Sequence, residues 1–393
     1  MKKIYQIHVL SFVFAFFLGG IQAVNAANYS WNGAISNEWG NPSNWSPAGV
    51  PGTLDNVTIN SAAVNQPVRE ENPGIQNLTL TNGTLDLAGF TISITGTCVF
   101  TGGTVTNGTL SLTGASVTFT NTTFNANVIY SGNRFLLNGG TFNGTVSLTK
   151  TGGGNDACNG GCTFNNTVSI INNSTSYIYL ENTTASTYNQ AVVFSALGNG
   201  ALYPARTAAG TQYKGNITVN STGTGGVRFG QSSGTSSLAI GKTIVVGASG
   251  FTNGELDLRG LTQIGTTAIV LTGSSSGRVR FEPNSTFNGK VTCSFPFVHL
   301  SGSTFNDTLR VTKTGSGNIS GNGGCTFNAP VYITKNNSGN LMMGDVSPDI
   351  FNANLYLDDQ SGTCSIMVAG TAAGDQINGT IYINMTATAI NFG

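Results

Sequence analysis

Between residues 141 and 149 the apolar side chains Phe142, Val146 and Leu148 share one parity, and Thr145, Ser147 and Thr149 take the other. Alternation of period two describes a strand with one face buried and one in water. Asn143-Gly144 interrupts it, a pair that readily takes left-handed backbone angles and bends the chain. The phrase predicts a short strand, a corner, a second short strand and a turn. It returns at Thr123, Thr163, Thr286, Thr304 and Thr326, each reading Thr-Phe-Asn, and in degenerate form around Tyr188, Tyr213, Phe351 and Ile377.

The anchors of the first series stand at 124, 142, 164, 188 and 213, and those of the second at 287, 305, 327, 351 and 377. Subtracting the first series from the second gives an offset of 163 four times and 164 once. Two periods are therefore nested: a coil of about 18–26 residues, and a block of about 163 residues whose second copy is truncated. Flanking residues agree, with Lys150-Thr151-Gly152 matching Lys313-Thr314-Gly315 and Gly160-Gly161-Cys162 matching Gly323-Gly324-Cys325. Further upstream, residues 82–87 read like residues 253–258, which pairs Asp86 with Asp257; the second block is shorter there by about one third of a coil.

A unit of this size cannot bury its own apolar face. Stacking units about 4.8 Å apart lets each strand pair with the next coil and builds a continuous core. The expected fold is all-β, a parallel β-helix (solenoid), in which Phe142 lies over Phe124 and under Phe164. Phe287, Phe305, Phe327 and Phe351 form the matching column of the second block. The corner asparagines Asn125, Asn143, Asn165, Asn288, Asn306 and Asn328 are expected to form a ladder, side chain to backbone. A β-sandwich or barrel of regular short strands is the competing architecture. Open-ended stacking accommodates a repeated block, whereas closure does not.

Met1-Lys2-Lys3, the apolar stretch 9–18 and Val24-Asn25-Ala26 predict a secretory signal peptide over residues 1–26. A retained membrane anchor is the alternative, but Gly19, Gly20 and Gln22 interrupt the run and it is short for a bilayer. Residues 27–74 are read as a tryptophan-rich N-terminal cap with a junction at 61–74, and residues 75–393 as the solenoid. All three tryptophans, Trp31, Trp39 and Trp45, fall in the cap. A solenoid end exposes strand edges and core side chains, so large aromatic residues suit a cap; a platform that stacks on sugar rings is the functional alternative.

The order Trp31-x-Gly33, Trp39, Asn44-Trp45-Ser46, Val50-Pro51 and Asp55-Asn56-Val57-Thr58-Ile59 resembles the opening of large, repetitive, adhesin-like surface proteins of Gram-negative bacteria that use the type IX secretion route. The resemblance covers about 30 residues. It implies β-helical repeats after the opening, pectin-lyase-like in general architecture. It also implies a location on the extracellular side of the outer membrane, and continuation into further repeats or a C-terminal sorting domain.

Composition narrows the chemistry. Charged residues are only 8% of the chain and the net charge is zero, so no polyanion partner such as nucleic acid is implied. An apolar content of 39% argues for a packed core rather than disorder. The exported chain is not expected to insert into a membrane. Of the six cysteines, Cys162 and Cys325 are equivalent positions about seven coils apart, too far for a bond; Cys158 and Cys162 are near enough for a loop disulfide. No metal set or cofactor motif stands out. His8 leaves with the signal peptide, and His299 is read as a surface residue, which leaves nucleophile–histidine catalysis little to build on. Residues 236–243, ending Gly241-Lys242-Thr243, lack the first glycine and the helix that a phosphate loop needs. Thr-x-Thr pairs do not recur at one coil position, which argues against ice binding.

A polysaccharide lyase or hydrolase would need carboxylates with Arg or Lys on one exterior face. Asp86 and Asp257, like Lys150 and Lys313, look like residues that recur with the repeat and so serve it. The expected function is therefore a structural or adhesin-like rod that presents Thr, Ser and Asn to surface glycans or other extracellular polymers, without catalysis. A carbohydrate-binding or carbohydrate-degrading β-helix is the alternative.

Overall fold

The computed structural model describes residues 26–72, 74–317, 319–361, 365–368, 374–385 and 390–392. The expected signal peptide, apart from Ala26, and Cys364 lie outside the described residues. The chain winds as a parallel β-solenoid whose coils have three walls. The first wall, a 20-stranded sheet, carries the Thr-Phe strands, and the second is a 15-stranded sheet running from Gly74–Ile75 to Ile381–Met385. The third is a seven-stranded sheet from Asp156–Ala157 to Phe297–Leu300, followed by a four-stranded sheet that starts at Ile319–Ser320. In the early coils the third-side strands, such as Ser116–Thr120, belong to the first sheet.

Strands pair in register, so like residues stack. Phe124, Phe142, Phe164 and Tyr188 are successive partners, with ring centroids 4.9 Å apart at each step and planes within 17°. Tyr213 continues the column, and Leu238 and Gln263 fill the next two rungs. Phe287, Phe305, Phe327 and Phe351 then resume it at 5.2, 5.4 and 4.7 Å. All of these rings are buried. Offset stacking of this kind adds to the burial each ring already contributes.

The corner asparagines do form a ladder, but its bonds run from side chain to side chain. Asn288, with no asparagine one coil back, is the named corner residue that donates to the backbone instead, at Gln263 O. Asn143 donates Nδ2–H to Asn125 Oδ1, Asn165 to Asn143 and Asn189 to Asn165, all at 2.6 Å. In the second block Asn306, Asn328, Asn352 and Asn378 each donate to the asparagine one coil back, beginning at Asn288, at 2.7–2.8 Å. An amide has a donor and an acceptor in one plane, so identical amides one rung apart satisfy each other.

Lysines matched between the blocks are core residues. The chain alternates so that Val146, Leu148 and Lys150 all point inward, and Lys150 is fully buried. Its ammonium donates to Asn133 O at 2.9 Å and pairs with buried Asp156 at 3.1 Å. Lys313 and Lys335 are equally buried; Lys335 pairs with Asp359 at 3.2 Å.

At the N-terminal end, Asn28–Trp31 pairs in parallel with Asn56–Asn60, which in turn pairs with Asn77–Thr81. Coil stacking thus begins inside the segment read as a cap. Trp31, Trp39 and Trp45 are 1–3% exposed and pack on one another, with centroids as close as 4.7 Å. Trp31 Nε1–H donates to Asn65 O and Trp45 Nε1–H to Trp39 O, while the Arg69 guanidinium lies 4.2 Å over the Trp39 ring. No indole face is left for a sugar, which removes the platform alternative.

Phe142→Ala opens a ring-sized hole in the column and is expected to cost roughly 3–5 kcal/mol; Thr145→Ala on the exposed parity is expected to stay within about 0.5 kcal/mol. Urea unfolding of both variants, followed by far-UV circular dichroism, measures the difference. Lys150→Ala leaves buried Asp156 without its ammonium partner, with only Arg134 at 3.4 Å and the Phe135 N–H to hold it, at an expected cost of about 3 kcal/mol, whereas Lys150→Met combined with Asp156→Leu recovers most of it. The same urea midpoints compare the single and double variants.

Candidate functional site

Outward positions on the third wall depart from the Thr/Ser/Asn pattern. Strands Val227–Arg228, Glu255–Leu258, Arg278–Phe281 and Phe297–Leu300 are pinned by inward Val227, Leu256, Leu258, Val279, Phe281, Val298 and Leu300, all buried. The pleat then turns the residues between them outward. In-register pairing lines up Tyr179, Tyr203, Arg228, Asp257, Arg280 and His299 in one column along the axis. A neighbouring column places Glu255 beside Arg278 and then Phe297, and on the other side Arg259 meets Glu282.

Ion pairs knit these columns together. Arg228 reaches Glu255 at 3.3 Å, Arg280 reaches Glu255 at 3.2 Å and Glu282 at 2.5 Å, and Arg259 reaches Glu282 at 2.7 Å. Asp257 stands between Arg228 and Arg280 yet receives neither guanidinium. It is 7% exposed and its Oδ1 has no hydrogen-bond partner. Burial, with the Glu282 carboxylate adding to it, pushes the acid up to about 7 against the pull of Arg259 and Arg280. His299 takes the expected outward parity but is not a free surface side chain: it is 14% exposed and its Nε2 lies 3.6 Å from Glu282 Oε1.

The pairing of Asp257 with Asp86 does not survive in space. Asp86 pairs with Thr106 on the first wall, next to the Leu85–Val105 core pair that leads to Phe124, whereas Asp257 lies on the third wall between arginines. The block is shorter here by a third of a coil, and one third of a three-walled coil moves the same phrase to the next wall. Asp257 therefore breaks the repeat, as do Arg280 and Glu282. The signal was present in the shortened block, but a linear match hides the change of wall.

Beside the charged columns runs a groove along the corner between the second and third walls. It consists of two adjoining hollows of about 250 and 520 Å³ that share Ser276. Arg228, Glu255 and Arg278 line the smaller, and Phe297, Thr314 and Asn337 the larger. The Arg278 guanidinium sits 4.8 Å over the Phe297 ring.

The loop disulfide considered for Cys158 and Cys162 is not formed: both are free, buried thiols, as are Cys98, Cys293 and Cys325. Gly160 and Gly161, at φ +84° and +74°, turn the corner between them. Cys158 Sγ is directed at Phe135 O and Cys162 Sγ at Gly160 O. Burial drives the Cys162 thiol up to about 12, so it holds its proton. A Cβ on Gly160 would fall 2.1 Å from Thr184 O, so only glycine fits that corner. Among the described residues no group of three His, Cys, Asp or Glu side chains could hold a metal ion, and no helix is long and apolar enough to cross a membrane.

Fold and site together define a three-walled parallel β-solenoid with a charged outer groove. Compared with protein-family models, curated proteins and solved structures, the chain matches none of them.

Asp257 gives a test with a definite sign. An unfolded aspartate has a pKa near 3.9, and the folded group titrates at about 7. Between these values the folded state holds the extra proton, so this residue's contribution falls as pH rises from about 4 to 7 and stays low above. Asp257→Asn is expected to remove that decline and to raise the melting temperature at pH 8 relative to the parent, with little gain at pH 4. Thermal melts across that range, plotted as variant minus parent, isolate it from the similarly shifted Asp349.

Proposed function

We propose that the protein is a secreted or cell-surface β-solenoid that works by attachment, a rigid rod whose outward side chains hold extended extracellular polymers, surface glycans foremost, without catalysis. The observation that carries this reading is the register. Outward hydroxyls recur over successive rungs, as in the column Thr104, Thr123, Thr141, Thr163, Thr187 and, over two rungs between Ile129 and Val193, the pair Ser147, Ser169. A polymer lying along such a column meets the same hydroxyl every 4.8 Å or so, and weak contacts add through avidity. The signal peptide and the opening that resembles type IX cargo support the extracellular setting.

One observation favours a second reading, a polysaccharide lyase or hydrolase. Asp257, Glu255 and Glu282 cluster with four arginines on one exterior face and break the repeat. Asp257, with its raised pKa, would be the general acid or base, since a group titrating near neutrality can both take and give a proton. A glycan-array binding assay and a reducing-sugar release assay on the same protein separate the two. Attachment predicts retention on glycans with no new reducing ends. Release that disappears in Asp257→Asn would replace attachment with catalysis.

A further inference from the structure

The groove beside the charged columns has a feature that the ion-pair network leaves unused. Arg228, Arg259 and Arg280 are engaged by Glu255 and Glu282. Arg278 is exposed and makes no ion pair among the described residues. Its guanidinium carbon sits over the Phe297 ring, 4.8 Å from the centroid, and that ring is held in turn over Gly317, where a Cβ would fall 2.2 Å from Cε1. A cation–π contact restrains where the guanidinium sits while leaving its N–H donors free. The cation is therefore oriented before any ligand arrives, and less entropy is lost per bond formed.

Its surroundings select the ligand. The patch holds four arginines, Arg228, Arg259, Arg278 and Arg280, against three carboxylates, Glu255, Asp257 and Glu282, in a chain whose net charge is zero. Asp257 is partly protonated near neutrality, which adds to the local positive excess. Away from this end the groove offers the Ser276 and Thr314 hydroxyls, suited to sugar hydroxyls, beside Asn337, whose amide donates to Thr314 O and accepts from the Ser338 N–H. From Thr224 to Asn337 the lining spans six successive coils, about 24 Å at one strand spacing per step. Two arginines at one end of a long polar groove, one of them paired with Glu255, do not suit nucleic acid, which needs a cation at nearly every phosphate.

We propose that this groove is the binding site for an anionic glycan, with a carboxylate or sulfate gripped by Arg278 and backed by Arg228, and the chain lying along the corner over Phe297 toward Asn337. The proposal rests on the attachment reading and names the ligand class and the site within it.

Isothermal titration of the full chain uses three probes of equal length: a carboxylated hexasaccharide (an oligouronate), a sulfated hexasaccharide and an uncharged one. At least one anionic probe is expected to bind about tenfold or more tightly than the uncharged probe, with an affinity that falls as salt is added. The better of the two anionic probes identifies the anion. Arg278→Gln is expected to weaken that probe about tenfold, Arg278→Lys less, and Arg310→Gln, an exposed arginine on the second wall, not at all. Circular dichroism confirms that each variant is folded. Equal binding of charged and uncharged probes, or an unchanged affinity in Arg278→Gln, would overturn the site while leaving attachment standing. Absence of binding by all three, together with a blank glycan array, would overturn both.

Discussion

The structure depends on the in-register hydrogen bonding of each coil to the next. Parallel pairing at one strand spacing means that a residue's nearest outward or inward neighbours are the same positions one coil before and after. A slip of one residue would expose every core side chain, so the register is fixed wherever one face is buried. The sequence answers this constraint with residue types that tolerate their own kind. Phenylalanine stacks on phenylalanine, and asparagine amides bond to asparagine amides. Identity between coils follows from having to neighbour oneself.

Charge is the residue type that fails this test. Like charges one rung apart repel, which explains why a chain of 393 residues built on this fold carries so few. Where charges do occur outside, the columns alternate: Glu255 beside Arg278, Arg259 beside Glu282, and Arg228, Asp257, Arg280 in sequence. Inside, Lys313 is the rung partner of Lys335, which is followed by Asp359. The two ammonium groups turn to the carbonyls of their own following turns, Gly315 O and Asn337 O, and Asp359 supplies the countercharge on the third rung. Local turn carbonyls do for the core lysines what opposed charges do for the outer wall.

The same logic separates what could be read in the sequence from what could not. The phenylalanine column was legible because spacing and identity both repeat, and Phe142 does lie between Phe124 and Phe164. The asparagine ladder was legible in its positions but not in its bonds, since the choice between backbone and side-chain acceptors depends on rung geometry. Burial of the tryptophans followed from their size; the parallel pairing of Asn28–Trp31 with Asn56–Asn60 did not, because that strand carries no copy of the phrase. The charged wall was hidden for a different reason. A linear alignment places Asp86 and Asp257 together, while a change of a third of a coil rotates one of them to another wall. Only the winding reveals that Arg228 and Arg280, 52 positions apart, flank Asp257.

A repeating outward column presents the same groups along its whole length, so a ligand fixed at one place would need outward columns that stop resembling their neighbours. A second such place exists on the second wall, where Arg310, Tyr332, Tyr356 and Tyr382 are successive partners. There the rings lie 4.4 and 4.6 Å apart with planes 6° from parallel, and Arg310 covers Tyr332 at 3.7 Å. Those faces are spent on each other, so the ladder stiffens the wall and leaves little for a ligand except edges and hydroxyls. On the third wall the arrangement is reversed. The ring of Phe297 orients Arg278, the guanidinium keeps its donors, and a groove runs past both. Of the two departures from the repeat, this one holds unspent binding capacity in a fixed geometry, which is the condition a recognition site has to meet.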